Sequence, residues 1–318
     1  EITYGDWSSD VCSSDLLRMG RAGLFLDTGL GKTICELEFD TQAMRAVNAP
    51  ALILTPLAVA RQIEREADRF GFDARAVRDQ SEVGTRINIC NYDRMDKLDL
   101  SAFGAVVLDE SSILKSMTGK TTRALIEAFR GVRFKLAATA TPAPNDHMEL
   151  GNHSGFLDVM PSAEMLSRFF INDTGTASQQ WRIKRHAVTE FYDWMASWCR
   201  MAETPEDLGF DGSRFVLPPL NVIKHKVAGD TRAPAGMLFT GDVSATNMHA
   251  VKRQTADARA DVVGGLIAQE PGHAWVVWCD TDYEADALRR AIPRAEEVRG
   301  SHPIEDRKST RLNSSHRT

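Results

Sequence analysis

The sequence lacks the features that mark several special classes of protein. No apolar run in its 318 residues approaches the roughly 20 residues that a membrane-spanning helix needs. Five cysteines without paired spacing exclude a disulfide scaffold and argue against a zinc site. Basic residues are not in excess, since 38 Lys and Arg against 44 Asp and Glu give a net charge of -6, which excludes a polycation that coats nucleic acid. What remains is a globular chain with the length of about two domains.

The two ends of the chain are related to each other. Residues 6–16 read DWSSDVCSSDL, and residues 306–316 read DRKSTRLNSSH. Opposite strands of one oligonucleotide can encode both peptides, and that DNA resembles a common sequencing adapter. Segments of this kind are excluded before a fold is considered. We therefore expect residues 1–16 and 306–318 to be adapter-derived tails, and residues 17–305 to be a fragment of a longer protein.

Short apolar segments alternate with helix-like segments over residues 17–146. The apolar segments are GLFLD (23–27), ALILT (51–55), RINIC (86–90), AVVLD (105–109) and FKLAAT (134–139). Continuous apolar runs are typical of parallel strands that are buried on both faces. Their alternation with helices predicts an α/β domain with a parallel sheet between two helical layers.

Residues 147–228 differ in character and predict a helical insertion followed by a linker. Up to about residue 205 there are no strand patterns, and apolar residues recur at the spacing of one helix face. That face consists of Val188, Phe191, Tyr192, Met195, Trp198 and Cys199. We favour a buried core face, although the same aromatic side chains could form a platform on which bases stack.

Residues 229–305 return to the α/β pattern and predict the start of a second domain. The helix-like ADVVGGLIAQ precedes the apolar run AWVVW (274–278), and the helix-like DYEADALRRAI precedes EEV (296–298). We expect these two short runs to be strands.

The segment DTGLGKT (27–33) lies between the first predicted strand and the first predicted helix. Gly29 and Gly31 would let backbone N–H groups curl round a triphosphate at the positive end of the helix. Lys32 would neutralise the β- and γ-phosphates, and Thr33 would contact Mg²⁺. The strict phosphate-loop pattern begins with a further glycine, where this sequence has leucine.

The fourth apolar run ends in two adjacent acids, Asp109 and Glu110. Ligands of an open α/β sheet bind at the carboxyl ends of its strands. Asp109 would hold Mg²⁺ there, and Glu110 would orient and deprotonate an attacking water. With Lys32, these acids are the predicted catalytic residues. The alternative is a pair of acids that merely ends a strand.

Other predicted strand ends also carry polar residues. Thr139 and Thr141 in TATP are expected between the nucleotide and the part that moves on hydrolysis. Hydroxyl, amide and backbone N–H groups at strand ends are able to hold a polynucleotide phosphate. The candidates for that contact are Thr55, Pro56, Asn91 and Tyr92.

Five segments in order, DTGLGKT, LILTPLAVARQ, NICNYD, VVLDESSILKS and AATATPAPND, resemble motifs I, Ia, Ib, II and III of superfamily 2 helicases. DESS together with TPAPND resembles the Swi/Snf-like branch carried by phages and prophages. WVVWCDTDYEADAL is similar to the motif IV strand and helix, and residues 147–220 are similar to the insertion between two RecA-like domains. The resemblance covers most of residues 17–305.

The resemblance implies an ATP-dependent DNA helicase or translocase with ATP and Mg²⁺ as cofactors. It also implies double-stranded DNA as the partner and a cytoplasmic location in a bacterium or a phage-infected cell. The residues expected to bind the nucleotide are Gly29, Leu30, Gly31, Lys32, Thr33, Thr139 and Thr141, with Thr33 and Asp109 on Mg²⁺. The family's adenine-recognition motif and its motifs V and VI lie outside residues 17–305, so we expect the chain alone to hydrolyse ATP weakly or not at all.

Two other functions stay open at this point. An RNA helicase would share the motifs, although DESS and the helical insertion count against it. A nucleotide-binding switch or clamp-loading module would use the same loop without touching nucleic acid. Arg182, Lys184 and Arg185 beside Trp181 suit either a nucleic-acid contact or a solvated helix start. The histidines show no ligand spacing with the cysteines, so we expect no zinc, and we expect no membrane partner.

Overall fold

The computed structural model describes residues 15–57, 59–115, 119–143, 146–173, 180–227 and 245–299. The chain divides into two compact units, residues 1–217 and 218–318. The expected tails lie almost entirely outside the described residues, but Leu16, the last residue of the first tail, is fully buried in the core of the first unit. None of the described helices is long and apolar enough to cross a membrane.

The first unit contains the predicted alternation of strands and helices. Its strands are β1 (Arg21–Leu26), β2 (Ala51–Thr55), β3 (Ala74–Ala76), β4 (Ile87–Asn91), β5 (Ala105–Asp109), β6 (Phe134–Ala138), β7 (Phe170–Asp173), β8 (Gln180–Ile183) and β9 (Cys199–Ala202). Its longer helices are α1 (Lys32–Val47), α2 (Ala60–Phe70), α3 (Lys120–Ala128), α4 (Leu150–Phe156), α5 (Ser162–Phe169) and α6 (Val188–Trp198). A short 3-10 turn, Ser111–Lys115, follows β5.

Seven strands form one sheet in the order β3-β4-β2-β5-β6-β1-β9, and all neighbouring pairs are parallel. The register sets Thr55 beside Asn91 and Asp109 beside Ala138. Since the strands run in one direction, the carboxyl ends of β1, β2, β4, β5 and β6 share one edge, where α/β sheets bind ligands. The predicted α/β fold with a parallel sheet is confirmed.

Both faces of the sheet are buried, which explains why its strands are apolar throughout. Along β5, Val106 and Leu108 belong to one apolar cluster, whereas Ala105 and Val107 belong to the other. Successive side chains of a strand point to opposite faces, so the two clusters are the two sides of the sheet. Helices α1 and α2 cover the side that contains Ala105 and Val107. Helices α3, α4, α5 and α6 contribute to the side that contains Val106 and Leu108.

The prediction that residues 147–205 contain no strands is wrong. β7 and β8 form an antiparallel hairpin, and β9 pairs with β1 at the edge of the large sheet. Residues 147–217 therefore pack in one unit with the preceding sheet. These strands have four residues each, which is too short for a sequence period to show.

Helix α6 has the predicted buried face, but the face is narrower. Phe191, Met195 and Trp198 are buried, whereas Tyr192 is 51% exposed and Cys199 already belongs to β9. The three buried side chains form part of the core, as we favoured, and do not present a surface on which bases stack.

The second unit contains α7 (Ala245–Gln254), α8 (Ala256–Gln269) and α9 (Asp282–Ala291). Helices α8 and α9 pack through Ala256, Ala260 and Ala287. The runs 274–278 and 296–298, which we predicted to be strands, are not strands, and Trp278 is 89% exposed. A strand needs a neighbour that hydrogen-bonds its backbone, and no strand exists among the described residues of this unit. The start of a second α/β domain stays a prediction.

Candidate nucleotide site at the carboxyl edge of the sheet

The loop between β1 and α1 has left-handed backbone at both of its glycines. Gly29 and Gly31 have left-handed φ angles of 88° and 79°, which glycine adopts without the strain a Cβ brings. A Cβ built on Gly29 would meet no atom within 4 Å, so backbone conformation, and not crowding, favours glycine there. Helix α1 begins at Lys32, directly after the loop. The first N–H groups of a helix have no acceptor within the helix, so this end of α1 suits an anion.

The ammonium group of Lys32 lies against the loop. Its Nζ donates to the carbonyl oxygens of Leu26 at 2.8 Å and Asp27 at 3.1 Å. Leu30 is buried in the core on the α1 side of the sheet, so its side chain anchors the loop and only its backbone can face a ligand. Thr33 is half-buried in the first turn of α1.

Asp109 is held in place by the two neighbouring strand ends on its side of the sheet. The Thr55 hydroxyl donates to Asp109 Oδ2 at 2.6 Å, and the Tyr92 hydroxyl donates to the Asp109 carbonyl oxygen at 2.8 Å. Burial raises the pKa of the Asp109 carboxyl, while the Thr55 hydrogen bond and the charge of Lys32 act against that rise. Burial disfavours the charged form of this carboxyl, and a cation bound beside it would favour that form. Asp109 is therefore a suitable cation ligand.

Glu110 follows with a backbone conformation that is unusual for a side-chain-bearing residue. Its φ is 55°, in the left-handed region that disfavours a Cβ. Its Oε1 accepts two hydrogen bonds of 2.9 Å, one from Ser112 Oγ and one from Thr139 Oγ1. Thr139 is fully buried, and its hydroxyl oxygen also accepts from the N–H of Thr141 at 3.1 Å. The carboxylate is therefore fixed by the ends of β5 and β6 together.

The two threonines predicted as nucleotide ligands have different positions. Thr139 donates to Glu110 and is fully buried, and its role as a nucleotide ligand stays a prediction. Thr141 is exposed at the same edge. The expected place of this segment, between the catalytic centre and a moving part, stays a prediction.

Two of the four residues predicted to contact nucleic acid do something else. Thr55 is fully buried and its hydroxyl is spent on Asp109, and the Tyr92 hydroxyl is spent on the same residue. Both hydroxyls therefore support Asp109 in this structure, and the contact of Thr55 and Tyr92 with nucleic acid stays a prediction. Pro56 is half-buried at the end of β2. Asn91 is 9% exposed, and its Oδ1 has no hydrogen-bond partner among the described residues.

Two groups of polar residues were missed because their types carry no motif. Glu36 and Asp40 lie one turn apart on α1, both fully buried and with no partner for either carboxyl among the described residues. Burial raises the pKa of both carboxyls, and the charge of Asp109 adds to the rise at Glu36. His153 is fully buried beside Ser111, next to Glu110. The only sequence signal for either group is a polar residue at a helix position where the pattern expects an apolar one.

The basic residues at β8, Arg182, Lys184 and Arg185, are partly engaged in contacts within the fold. Lys184 Nζ donates to the carbonyl oxygens of Ser167 at 2.7 Å and Arg168 at 3.0 Å, at the end of α5. Trp181 packs against the core. Arg185 is exposed. The Trp181 ring is therefore not available for a base to stack on. The exposed charge of Arg185 suits a solvated face.

The residues at this edge fit a Mg²⁺–nucleotide. The loop offers an open cradle above Gly29, the start of α1 and the ammonium of Lys32. Asp109 and Thr33 provide oxygen ligands, and no cluster of three or more His, Cys, Asp or Glu side chains suited to a metal occurs in the described part of the chain. Mg²⁺ typically binds one or two carboxylates together with phosphates and water, so a single carboxylate is sufficient here.

The sheet and the loop together define a RecA-like P-loop domain. Among solved structures, the chain is similar to the SWI2/SNF2 ATPase core of Sulfolobus solfataricus in complex with dsDNA, with a TM-score of 0.50 and 19% identity over 62% of this chain and 44% of that chain. It is also similar to the SWI2/SNF2 ATPase core domain of the same organism, with a TM-score of 0.50 and 19% identity over 64% of this chain and 44% of that chain. The UvsW helicase from bacteriophage T4 matches with a TM-score of 0.41 and 16% identity over 51% of this chain and 59% of that chain.

The likeness to the two SWI2/SNF2 structures confirms the predicted resemblance to Swi/Snf-like helicases at the level of the fold. The chain spans less than half the length of the SWI2/SNF2 structures that it matches. No protein-family model and no curated protein matches the sequence.

Proposed function

We propose that the chain is the ATP-binding part of an ATP-dependent DNA helicase or translocase that acts in the cytoplasm. The observation that carries the proposal is the meeting of Lys32, Asp109 and Glu110 at one edge of the sheet, with Asp109 and Glu110 held by hydrogen bonds from neighbouring strand ends. A loop cation, a buried acid and a second fixed acid are the parts that hydrolysis of a nucleoside triphosphate requires.

Each part of the site has a role in holding the nucleotide. The backbone N–H groups of the loop from Gly29 to Gly31 and at the start of α1 would bind the phosphates, and Lys32 would leave its loop carbonyls to neutralise the β- and γ-phosphates. Thr33 and Asp109 would hold Mg²⁺. Mg²⁺ held there would supply positive charge that offsets the charge developing during phosphoryl transfer.

Glu110 is the group that we assign to the attacking water. Both of its hydrogen bonds fall on Oε1, and Oε2 makes none among the described residues. Oε2 would accept a proton as the water oxygen bonds to the γ-phosphorus and the bond from that phosphorus to ADP breaks. Ser112 and Thr139 keep the carboxylate from rotating, so the acceptor stays aimed at one point.

Nucleic-acid binding at this edge rests on fewer residues than the sequence predicted. Asn91 and Pro56 are the candidates whose side chains do not support Asp109, and the Asn91 side-chain NH₂ is the donor that a phosphate oxygen would need. The SWI2/SNF2 core that resembles this chain is in complex with dsDNA. By that likeness of fold, double-stranded DNA is the partner that we propose.

Single-turnover hydrolysis of ATP tests the enzymatic part of this proposal, because it detects slow chemistry. We expect the chain to release phosphate from ATP in a Mg²⁺-dependent reaction. The rate should fall by about 10²–10⁴-fold in Glu110→Gln, which is the usual contribution of a general base. An exposed acid on a turn beyond β4 gives the control, and Asp96→Asn should hydrolyse ATP at the parent rate. If Glu110→Gln hydrolysed ATP as fast as the parent, the assignment of the base would be wrong.

A nucleotide-binding switch that does not touch nucleic acid is the second candidate. It is favoured by the hydrogen bonds of Thr55 and Tyr92 to Asp109, because in this structure they engage two hydroxyls that we predicted to contact DNA. Binding of duplex DNA at several salt concentrations separates the two functions. A motor gives affinity that falls steeply with salt as phosphate contacts release counterions, whereas a pure switch gives no binding at low salt.

A further inference from the structure

Two neighbouring side chains of α4 contact the 3-10 turn that follows Glu110. Asn152 Nδ2 donates to the Leu114 carbonyl oxygen at 2.6 Å, and His153 Nε2 lies 3.2 Å from Ser111 Oγ. Ser111 and His153 are fully buried, and Asn152 is 5% exposed. The turn is thus held near its first residue and near its last by one helix.

Both ring nitrogens of His153 have a partner. His153 Nδ1 lies 3.4 Å from the Glu149 carbonyl oxygen, which can only accept. In the tautomer with the hydrogen on Nδ1, Nε2 accepts and the Ser111 hydroxyl donates. Burial lowers the pKa of His153 to about 4, so the imidazole is neutral at pH 7. The Phe25 ring meets the imidazole edge-on, with 5.5 Å between ring centroids, which fixes the ring plane.

The turn needs such support because its geometry is strained at the start. Glu110 has a φ of 55°, and a residue with a Cβ keeps that strained conformation only where the surrounding structure imposes it. Ser111 is the next residue, and its side chain is fixed by His153. Ser112, which binds the Glu110 carboxylate, is the residue after that.

We propose that His153 and Asn152 are positioning residues that hold the 111–115 turn so that the Glu110 carboxylate stays on Ser112 and Thr139. This inference rests on the proposed function, since it matters only if Glu110 acts on water. It adds α4 to the catalytic apparatus, although α4 itself contributes no group that touches the nucleotide. It also gives a route from α4 to the base, because His153 contacts Ser111, the residue directly after Glu110, while Thr139 binds the Glu110 carboxylate itself.

Variants of the histidine bond test the proposal with a structural and a kinetic measurement. His153→Leu and Ser111→Ala each remove the bond, whereas His153→Gln keeps an acceptor that can reach the serine hydroxyl. Asn152→Leu removes the second contact of α4, and His186→Gln is the control because His186 is exposed. Amide hydrogen exchange of the peptide that covers residues 105–115 reports the turn, and single-turnover hydrolysis of Mg²⁺–ATP reports the base.

We expect exchange in residues 111–115 to rise about tenfold in His153→Leu, in Ser111→Ala and in Asn152→Leu, with His153→Gln close to the parent. We expect the single-turnover rate to fall about tenfold in the same three variants while the Kd of a non-hydrolysable ATP analogue stays within about twofold, as befits loss of alignment. Since one bond is removed in either case, the double variant Ser111→Ala/His153→Leu should be no slower than the slower single variant.

The outcomes separate the inference from the function on which it rests. Unchanged exchange at the turn in both His153→Leu and Ser111→Ala would overturn the positioning role, even if Glu110→Gln still abolished hydrolysis. Faster exchange in these variants, in a parent chain that binds no Mg²⁺–ATP, would keep the contact but refute the proposed function. Equal damage in His153→Gln and His153→Leu would show that the ring fills space, and would also overturn the proposal. Should His153→Leu not fold, Ser111→Ala carries both measurements.

Discussion

The hydroxyl of Thr55 donates a hydrogen bond of 2.6 Å to Oδ2 of Asp109, which joins the last residues of β2 and β5. The two strands are neighbours in the sheet, so the bond connects adjacent carboxyl ends without any loop. It opposes the effect of burial, which raises the pKa of Asp109. A residue that we expected on nucleic acid is therefore a support for the predicted Mg²⁺ ligand.

Thr55→Val removes this bond and keeps the shape of the side chain. A hydrogen bond to a charged group contributes about 1.5–3 kcal/mol, so we expect the Kd of a Mg²⁺–ATP analogue to rise about tenfold, as measured by calorimetry. Thr55→Ser keeps the hydroxyl and should bind like the parent. Duplex DNA affinity without nucleotide should be the same in both variants, and a selective loss of DNA binding in Thr55→Val would support the predicted phosphate contact instead.

Lys32→Ala tests the loop itself. The ammonium is the single loop cation predicted to meet the β- and γ-phosphates, and in this structure it lies on the carbonyls of Leu26 and Asp27. We expect calorimetry to detect no binding of ATP to the variant. Lys97→Ala removes an exposed lysine from a turn beyond β4 and should leave the affinity intact. An unaltered Kd in Lys32→Ala would defeat the assignment of the loop.

The parts of the site that the sequence predicted are those set by local pattern. Glycines before a helix, and acids at the end of an apolar strand, each fix a position relative to a single element. The parallel sheet then brings Lys32 and Asp109 to one edge because all of its strands run the same way. Nothing beyond the strand pattern was needed to predict that these two residues are near each other.

The parts that were not predicted depend on pairings across the chain. Thr55 meets Asp109, and His153 meets Ser111, but a threonine at a strand end and a histidine in a helix are equally compatible with many partners. β9 was missed because four residues after a helix show no period of their own, and it is a strand only because β1 offers it an edge. Tertiary contact, and not local preference, decides such elements.

Asp40 gives a pH dependence whose sign opposes ordinary acid denaturation. Its carboxyl is fully buried with no partner among the described residues, and burial raises its pKa well above the usual value. The folded state therefore keeps a proton that the unfolded state releases, so Asp40 costs stability progressively as pH rises from about 4 towards its folded pKa. Asp40→Asn should remove this cost, and its advantage in the free energy of unfolding should grow by up to about 1.4 kcal/mol per pH unit in that window.

Urea unfolding at several pH values measures the effect, with the exposed Asp96→Asn as the control. Glu36 lies one turn before Asp40 and is buried in the same way, so Glu36→Gln should show the same sign. Burial of Glu36 and the charge of Asp109 both raise its pKa. If the free energy of unfolding changed with pH in the same way in Asp40→Asn and in the parent from about pH 4 to about pH 7, the Asp40 carboxyl would have to be solvated in the folded protein.

Lys135 is the charged residue in the middle of FKLAAT, where the pattern reads as a buried strand. Its side chain is fully buried, and Nζ donates 2.8 Å bonds to the Asp158 carboxylate and to the Phe156 carbonyl oxygen. Lys135→Met fits the same space but leaves the Asp158 charge with Arg21 at 3.4 Å as its remaining ion pair. Stranding a fully buried charge costs about 3–5 kcal/mol. Because the Asp158 side chain is 25% exposed and keeps Arg21, we expect a smaller loss in urea unfolding, about 1–3 kcal/mol.

A second substitution and an exposed pair show whether the loss comes from the stranded charge. Lys135→Met/Asp158→Asn removes both charges, so it should recover most of the lost free energy of unfolding, as neutral replacements of buried pairs often do. Arg130→Met breaks an exposed ion pair with Glu127, whose side chains are 68% and 72% exposed, and should cost less than about 1 kcal/mol. If Lys135→Met were as mild as Arg130→Met, Arg21 and the water that reaches the 25% exposed Asp158 side chain would be enough to compensate its charge. If the double variant were as unstable as Lys135→Met alone, the loss would come from the bond to the Phe156 carbonyl oxygen and not from the charge.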